Sequence, residues 1–90
     1  MNETEPSTAI QYPCDFSIKV MGASSAEFEI AVLSIIRRHT TNIKEDGIKS
    51  RLSKGGKYLA LTITITAESQ AQMDAIYQEL SACEEVLMAL

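Results

Sequence analysis

Ser53-Lys54-Gly55-Gly56-Lys57, followed by Tyr58-Leu59-Ala60-Leu61-Thr62-Ile63-Thr64-Ile65-Thr66, is the stretch on which the fold turns. Leu59, Leu61, Ile63 and Ile65 alternate with Tyr58, Ala60, Thr62, Thr64 and Thr66. A period of two places the first set on one side of a β-strand and the second on the other. The apolar side must be covered, and the threonine side suits solvent or a partner. The two glycines just before this strand tolerate positive φ, as a tight hairpin requires, so an antiparallel strand should precede it. That strand reads from Ile43 to Leu52, where Ile48 and Leu52 stand among Lys44, Glu45, Asp46, Lys49 and Arg51. Such charge is the pattern of a guarded sheet edge.

Working outward toward the N-terminus, Phe16, Ile18 and Val20 alternate with Ser17, Lys19 and Met21, which predicts a half-buried strand from Asp15 to Met21 ended by Gly22. Ser24, with Glu27 three residues on, has the spacing of a capping box. Phe28, Ala31, Val32, Ile35 and Ile36 then form one apolar stripe of a helix running to about His39. Arg37, Arg38 and His39 fall in its last turn, where positive charge complements the helix dipole. Toward the C-terminus, Ser69 and Gln72 repeat the cap spacing, and Met73, Ile76, Tyr77 and Leu80 stripe a second helix to about Ala82. Val86 to Leu90 is a short apolar run suited to a fourth strand.

The order is β-α-β-β-α-β. Two right-handed crossovers put both helices on the same side of one sheet, so the reading is an α+β, ferredoxin-like sandwich. A four-stranded antiparallel sheet carries two helices on one face, with the first and third strands central. Residues 1–11 are polar, lack either period and are expected to form a disordered leader, leaving 12–90 as a single domain.

The chain has 90 residues, 46% of them hydrophobic and 22% charged, a composition that folds rather than stays disordered. At this length a folded domain buries roughly 60% of its unfolded surface, so one core is the expectation. The net charge of −4 disfavours non-specific binding to nucleic acid or anionic membranes. The N-terminal stretch has no basic segment followed by an apolar one, so no secretory signal is read and a cytoplasmic location is expected. Cys14 and Cys83 are separated by most of the chain, without metal-ligand spacing, and both read as ordinary reduced residues.

Motif by motif, chemistry finds little support. Gly55-Gly56-Lys57 lacks a phosphate loop's earlier glycine, since Arg51 stands there, and its following Ser or Thr, since Tyr58 does. His39 is the only histidine, so any acid–base or nucleophilic constellation would have to use it, and its helix-end context favours a structural role. The loop from Gly22 to Ser25 has neither the arginine of an acylphosphatase-like site nor the paired cysteines of a copper chaperone. No catalytic, cofactor or metal residues are assigned.

Two surfaces remain. One is the sheet face away from the helices, bearing Ser17, Lys19, Met21, Lys49, Arg51, Tyr58, Ala60, Thr62 and Thr64, mildly basic on an acidic chain. With the loop after the first strand it supplies the candidate ligand or partner residues Lys19, Met21, Gly22, Ser24, Arg51 and Tyr58. RNA-binding domains of this topology stack bases on two or three sheet aromatics, and this face offers Tyr58 alone. The other surface is the C-terminal strand, whose residues Val86, Met88 and Leu90 have no lysine or proline to blunt pairing with a second copy or a partner.

Tyr12-Pro13, Phe16, the run Lys19-Val20-Met21-Gly22, Arg38-His39, Ser53-Lys54-Gly55 leading to Tyr58, and Ile76-Tyr77 with Leu80 resemble the YbeD-like family of small bacterial proteins of unassigned function. The resemblance runs from Tyr12 to Leu90, departing at Gly56 and at Thr40-Thr41, where the family pattern has a proline. It implies an ACT-like version of the ferredoxin fold. ACT domains bind amino acids at dimer interfaces near the turn after the first strand, here Gly22-Ala23-Ser24-Ser25. Some family members are encoded beside lipoate-attachment genes. Together these imply a non-enzymatic regulatory or adaptor domain, binding a small ligand or a protein partner or associating with itself, in a lipoate-related context. RNA binding through the open sheet face is the alternative.

Overall fold

Ten residues of the first strand pair without interruption against ten of the third, and the other elements are arranged around that ladder. The structure is a computed structural model and describes residues 11–90; all but Gln11 of the expected leader lies outside the described residues. The elements are β1 Cys14–Ala23, α1 Ala26–His39, β2 Ile43–Leu52, β3 Tyr58–Ala67, α2 Gln70–Ala82 and β4 Val86–Ala89. The sheet is antiparallel in the order β2-β3-β1-β4, with β1 and β3 central as the alternation predicts.

Inward-facing residues of the two central strands, Ile18 and Val20 on β1 with Leu59, Leu61, Ile63 and Ile65 on β3, are buried. Above them lie Phe28, Val32, Ile35 and Ile36 of α1 and Met73, Ile76 and Leu80 of α2. Ala31 and Tyr77, predicted on the same stripes, are only half-buried. Tyr77 instead donates its hydroxyl to the Leu90 carbonyl at 2.8 Å, tying α2 to the chain end. The hairpin forms as its glycines suggest, with φ of 89° at Gly55 and 74° at Gly56 and the Gly56 N–H donating to the Ser53 carbonyl.

Three details depart from the sequence reading. β1 does not stop at Gly22: Gly22 pairs with Leu59 and Ala23 with Tyr58. Only Ser24 and Ser25 are left to turn the chain, so the cap moves one residue on. Ser25, not Ser24, accepts from the Phe28 N–H at 3.2 Å, and Glu27 is out of register for the reciprocal bond. At α2 the Ser69 hydroxyl does accept from the Gln72 N–H, but the Gln72 side chain reaches past the cap. It accepts from Glu68 N–H at 2.7 Å and donates to the His39 carbonyl at 2.9 Å, joining the two helix ends.

The third departure is on β2. Its chain takes five steps from Ile43 to Ile48 while β3 takes two, from Ile65 to Ile63, so Lys44–Gly47 arch out of the ladder. Lys44 reaches Asp15 at 3.6 Å from this arch.

Gly22 is buried where α1 crosses the end of β1. A Cβ there would stand 2.3 Å from Phe28 Cδ1 and 2.5 Å from the Glu85 carbonyl oxygen. The Glu85 carbonyl is backbone and cannot rotate away. Gly22→Ala should therefore destabilise by about 1–3 kcal/mol, the usual cost of over-packing. Urea unfolding midpoints measure it, and a variant as stable as the parent would show that α1 does not press on this glycine.

Candidate functional site

Alternation along β1 and β3 turns Ser17, Lys19 and Met21, and Tyr58, Ala60, Thr62 and Thr64, away from the helices. The pairing arranges them in rows across the sheet. Met88 of β4, Met21, Ala60 and Arg51 of β2 form one row. Lys19, Thr62 and Lys49 form the next, and Leu90 extends it through two backbone hydrogen bonds with Lys19, at 3.0 and 2.7 Å. Ser17 and Thr64 share a side-chain hydrogen bond of 2.9 Å in the row after that. Lys19 and Lys49 are thus two strands apart, about 10 Å at ordinary strand spacing.

Met21, Arg51, Leu52, Ser53, Tyr58 and Ala60 enclose a depression of about 130 Å³ at the hairpin end of this face. Lys19, Lys49 and Arg51 make no ion pair among the described residues, whereas Lys44 at the other end is engaged by Asp15. Four of the six residues singled out for ligand or partner binding, Lys19, Met21, Arg51 and Tyr58, therefore share one surface. Gly22 does not join them, being buried under Phe28. Ser24 lies at the same end of the sheet but outside the depression, its N–H donated to the Lys57 carbonyl at 3.1 Å.

The proposed edge residues divide between the two sides of the sheet. Val86 packs against the core, while Met88 and Leu90 are exposed on the outer face. The β1–β4 register slips by one residue at Leu87, so the edge is kinked.

A second constellation was not visible in the sequence. Glu79 of α2 accepts from Arg38 Nη2 and from His39 Nε2, each at 2.5 Å, pinning the end of α1 to α2. Because an ionised carboxylate only accepts, His39 carries its proton on Nε2. The Arg38 hydrogen bond, and after it the His39 one, holds the Glu79 carboxyl below its ordinary value of 4.5. With Arg38 and His39 bonded to the same carboxylate, the cluster acts as a clasp between α1 and α2. Nothing in sequence spacing links positions 40 residues apart, which is why it escapes a linear reading. Among the described residues no group of three or more His, Cys, Asp or Glu is placed to hold a metal. No helix there is long and apolar enough to cross a membrane.

Residues 7–90 match a family model described as "Protein of unknown function (DUF493)". The chain belongs to this family. Within it, a UPF0250 protein of Nitrosomonas europaea is 43% identical over 81 residues, covering 90% of this chain and 93% of that one. A UPF0250 protein of Neisseria gonorrhoeae is 41% identical over 91 residues and covers all of both chains. Among solved structures, protein HP0495 of H. pylori superposes with a TM-score of 0.77 at 16% identity, covering 100% of this chain and 94% of that one. The ACT domain of GTP pyrophosphokinase from Chlorobium tepidum gives 0.65 at 15% identity, covering 86% and 97%. The DUF493 fold seen here is thus ACT-like, as the resemblance implied.

The clasp carries a pH dependence of definite sign. A carboxyl with a depressed native pKa adds stability that is fully present above its unfolded value and is lost as pH falls through the native one. Glu79→Gln should therefore reduce stability at neutral pH, with the gap between variant and parent starting to close near the ordinary value of 4.5 and vanishing in stronger acid. Denaturation curves across that range test it; a gap independent of pH would mean that the lost contact is not ionic.

Proposed function

We propose that this chain is a binding module without catalytic chemistry of its own, engaging a protein partner through the outer face of its sheet in a regulatory or adaptor role. The observation that carries this reading is the gathering of Lys19, Met21, Lys49, Arg51 and Tyr58 on the face the helices leave open, around a depression. Arginine, methionine and tyrosine are among the residues enriched at protein interfaces, whereas lysine is depleted there, so Lys19 and Lys49 suit the polar rim of such a contact. The ACT-like fold supports a regulatory role as analogy.

On this face, size favours a protein over a small ligand. Small-molecule sites occupy about 300–1,000 Å³ with largely apolar walls. The depression of about 130 Å³ takes one side chain. The larger cavity of about 670 Å³ under the β2 arch is walled mainly by polar and charged residues, among them Lys44, Glu45, Asp46 and Thr64.

A photo-crosslinking amino acid at position 49 should give a discrete protein adduct in the native host, lost when Arg51→Glu is added. The same amino acid at position 78, on the solvent side of α2, should give none that depends on Arg51. Equal adducts from both positions, or none from position 49, would end the reading; an adduct with a second copy of the chain would replace the partner with self-association.

A further inference from the structure

We infer, resting on that reading, that the outer face receives an acidic segment of a partner protein, its carboxylates on Lys19, Lys49 and Arg51 and one apolar side chain in the depression beside Tyr58. The chain holds 12 acidic and 8 basic residues, yet three of its cations stand within two adjacent rows of one face with no ion pair among the described residues. Arg51 borders the depression that Met21, Tyr58 and Ala60 wall with apolar surface, so a guanidinium able to grip a carboxylate bidentately adjoins a slot for an apolar group.

Charge along the face selects the class of partner. From the Thr62 row, which carries Lys19 and Lys49, to the Thr66 row, which carries Asp15, β3 advances about 13 Å at ordinary strand rise. At the far end Asp15, paired with Lys44, flanks Thr66, and Glu45 and Asp46 share the arch cavity with Thr64 and Thr66, which leaves that end net negative. The Debye length at physiological salt is about 8 Å, so the two ends act separately. A short acidic segment meets only the basic half. A nucleic-acid strand following the face would run its phosphates into the acidic half, and it would find Tyr58 as the one exposed sheet aromatic on which to stack.

Synthetic peptides titrated into the isotope-labelled full chain test this by amide chemical shifts. A peptide of alternating Glu and Leu should shift the amides of Lys19, Lys49, Arg51 and Tyr58 saturably. Its Gln-Leu and Glu-Ser counterparts should bind about tenfold more weakly or worse, since each removes one of the two contacts. Lys49→Glu and Arg51→Glu should abolish the shifts, and Lys49→Gln and Arg51→Gln should weaken them. Both positions are exposed, and the variants' own spectra report that they fold. The inference fails if the Gln-Leu peptide binds equally, if shifts are absent or fall elsewhere, or if a uridine oligonucleotide binds as tightly at the same amides. These outcomes are separate from failure of the binding reading, which is decided by the Arg51-dependent adduct at position 49. That adduct can form while the acidic peptide fails.

Discussion

The ladder between β1 and β3, from Cys14 against Ala67 to Ala23 against Tyr58, is the constraint on which the other parts depend. Because side chains alternate across a strand, a slip of β1 by one residue against β3 would exchange Ile18 and Val20 for Lys19 and Met21 on the core side, beside Leu61 and Ile63. Burying the lysine alone makes that register untenable, so hydrophobic burial fixes the pairing. The pairing in turn decides which residues form the outer face. β2 and β4 attach to the two central strands, and α1 and α2 cover one side. The candidate binding surface is therefore a direct consequence of the core.

The same ladder governs the loop after β1. By running through Gly22 and Ala23 it shortens the turn to two serines and brings Phe28 down onto Gly22. Phe28 is fully buried there, and burying such a side chain is worth roughly 1.5–3 kcal/mol. Space that a wider turn would leave open is filled by an aromatic ring, with the Glu85 carbonyl on the other side. Gly22 and the sheet face thus have different fates: the first is packed under Phe28, and the second is left uncovered by the helices.

Much of this was readable from residue order. The clean alternation of Tyr58 to Thr66 and the stripes of Phe28 to Ile36 and Met73 to Leu80 are periodic signals, and each element they predict is present. The arch in β2 was not readable. It shows only in the pairing, where Ile43 and Ile48 both stand against inward-facing isoleucines although they lie an odd number of residues apart, which unbroken alternation forbids. The shift of the cap from Ser24 to Ser25 was not legible, because two adjacent serines offer the same chemistry and only the length of β1 chooses between them. The Glu79 clasp and the Gln72 bridge to His39 depend on the packing of two helices, a tertiary fact. For the site, strand alternation placed Lys19, Met21, Arg51 and Tyr58 on one face, and the depression among the last three needed the side chains in place.

Whether the cations of that face reflect function or sheet maintenance can be argued strand by strand. Lysine and arginine on an edge strand deter unwanted pairing, and β2 is an edge, so Lys49 and Arg51 have that explanation available. Lys19 does not. It lies on β1, flanked by β3 on one side and β4 on the other, where there is no edge to guard. Lysine is among the residues depleted in strands, and its neighbour across the ladder, Thr62, shows the type that suits this position. An exposed cation with no ion pair among the described residues draws no Coulombic stabilisation from them. A lysine on a central strand, opposite a threonine and in the same row as Lys49, is thus unfavourable or neutral for the fold. Attraction of negative charge to the face is the property it does supply, and the edge cations beside it reinforce that property whatever else they do.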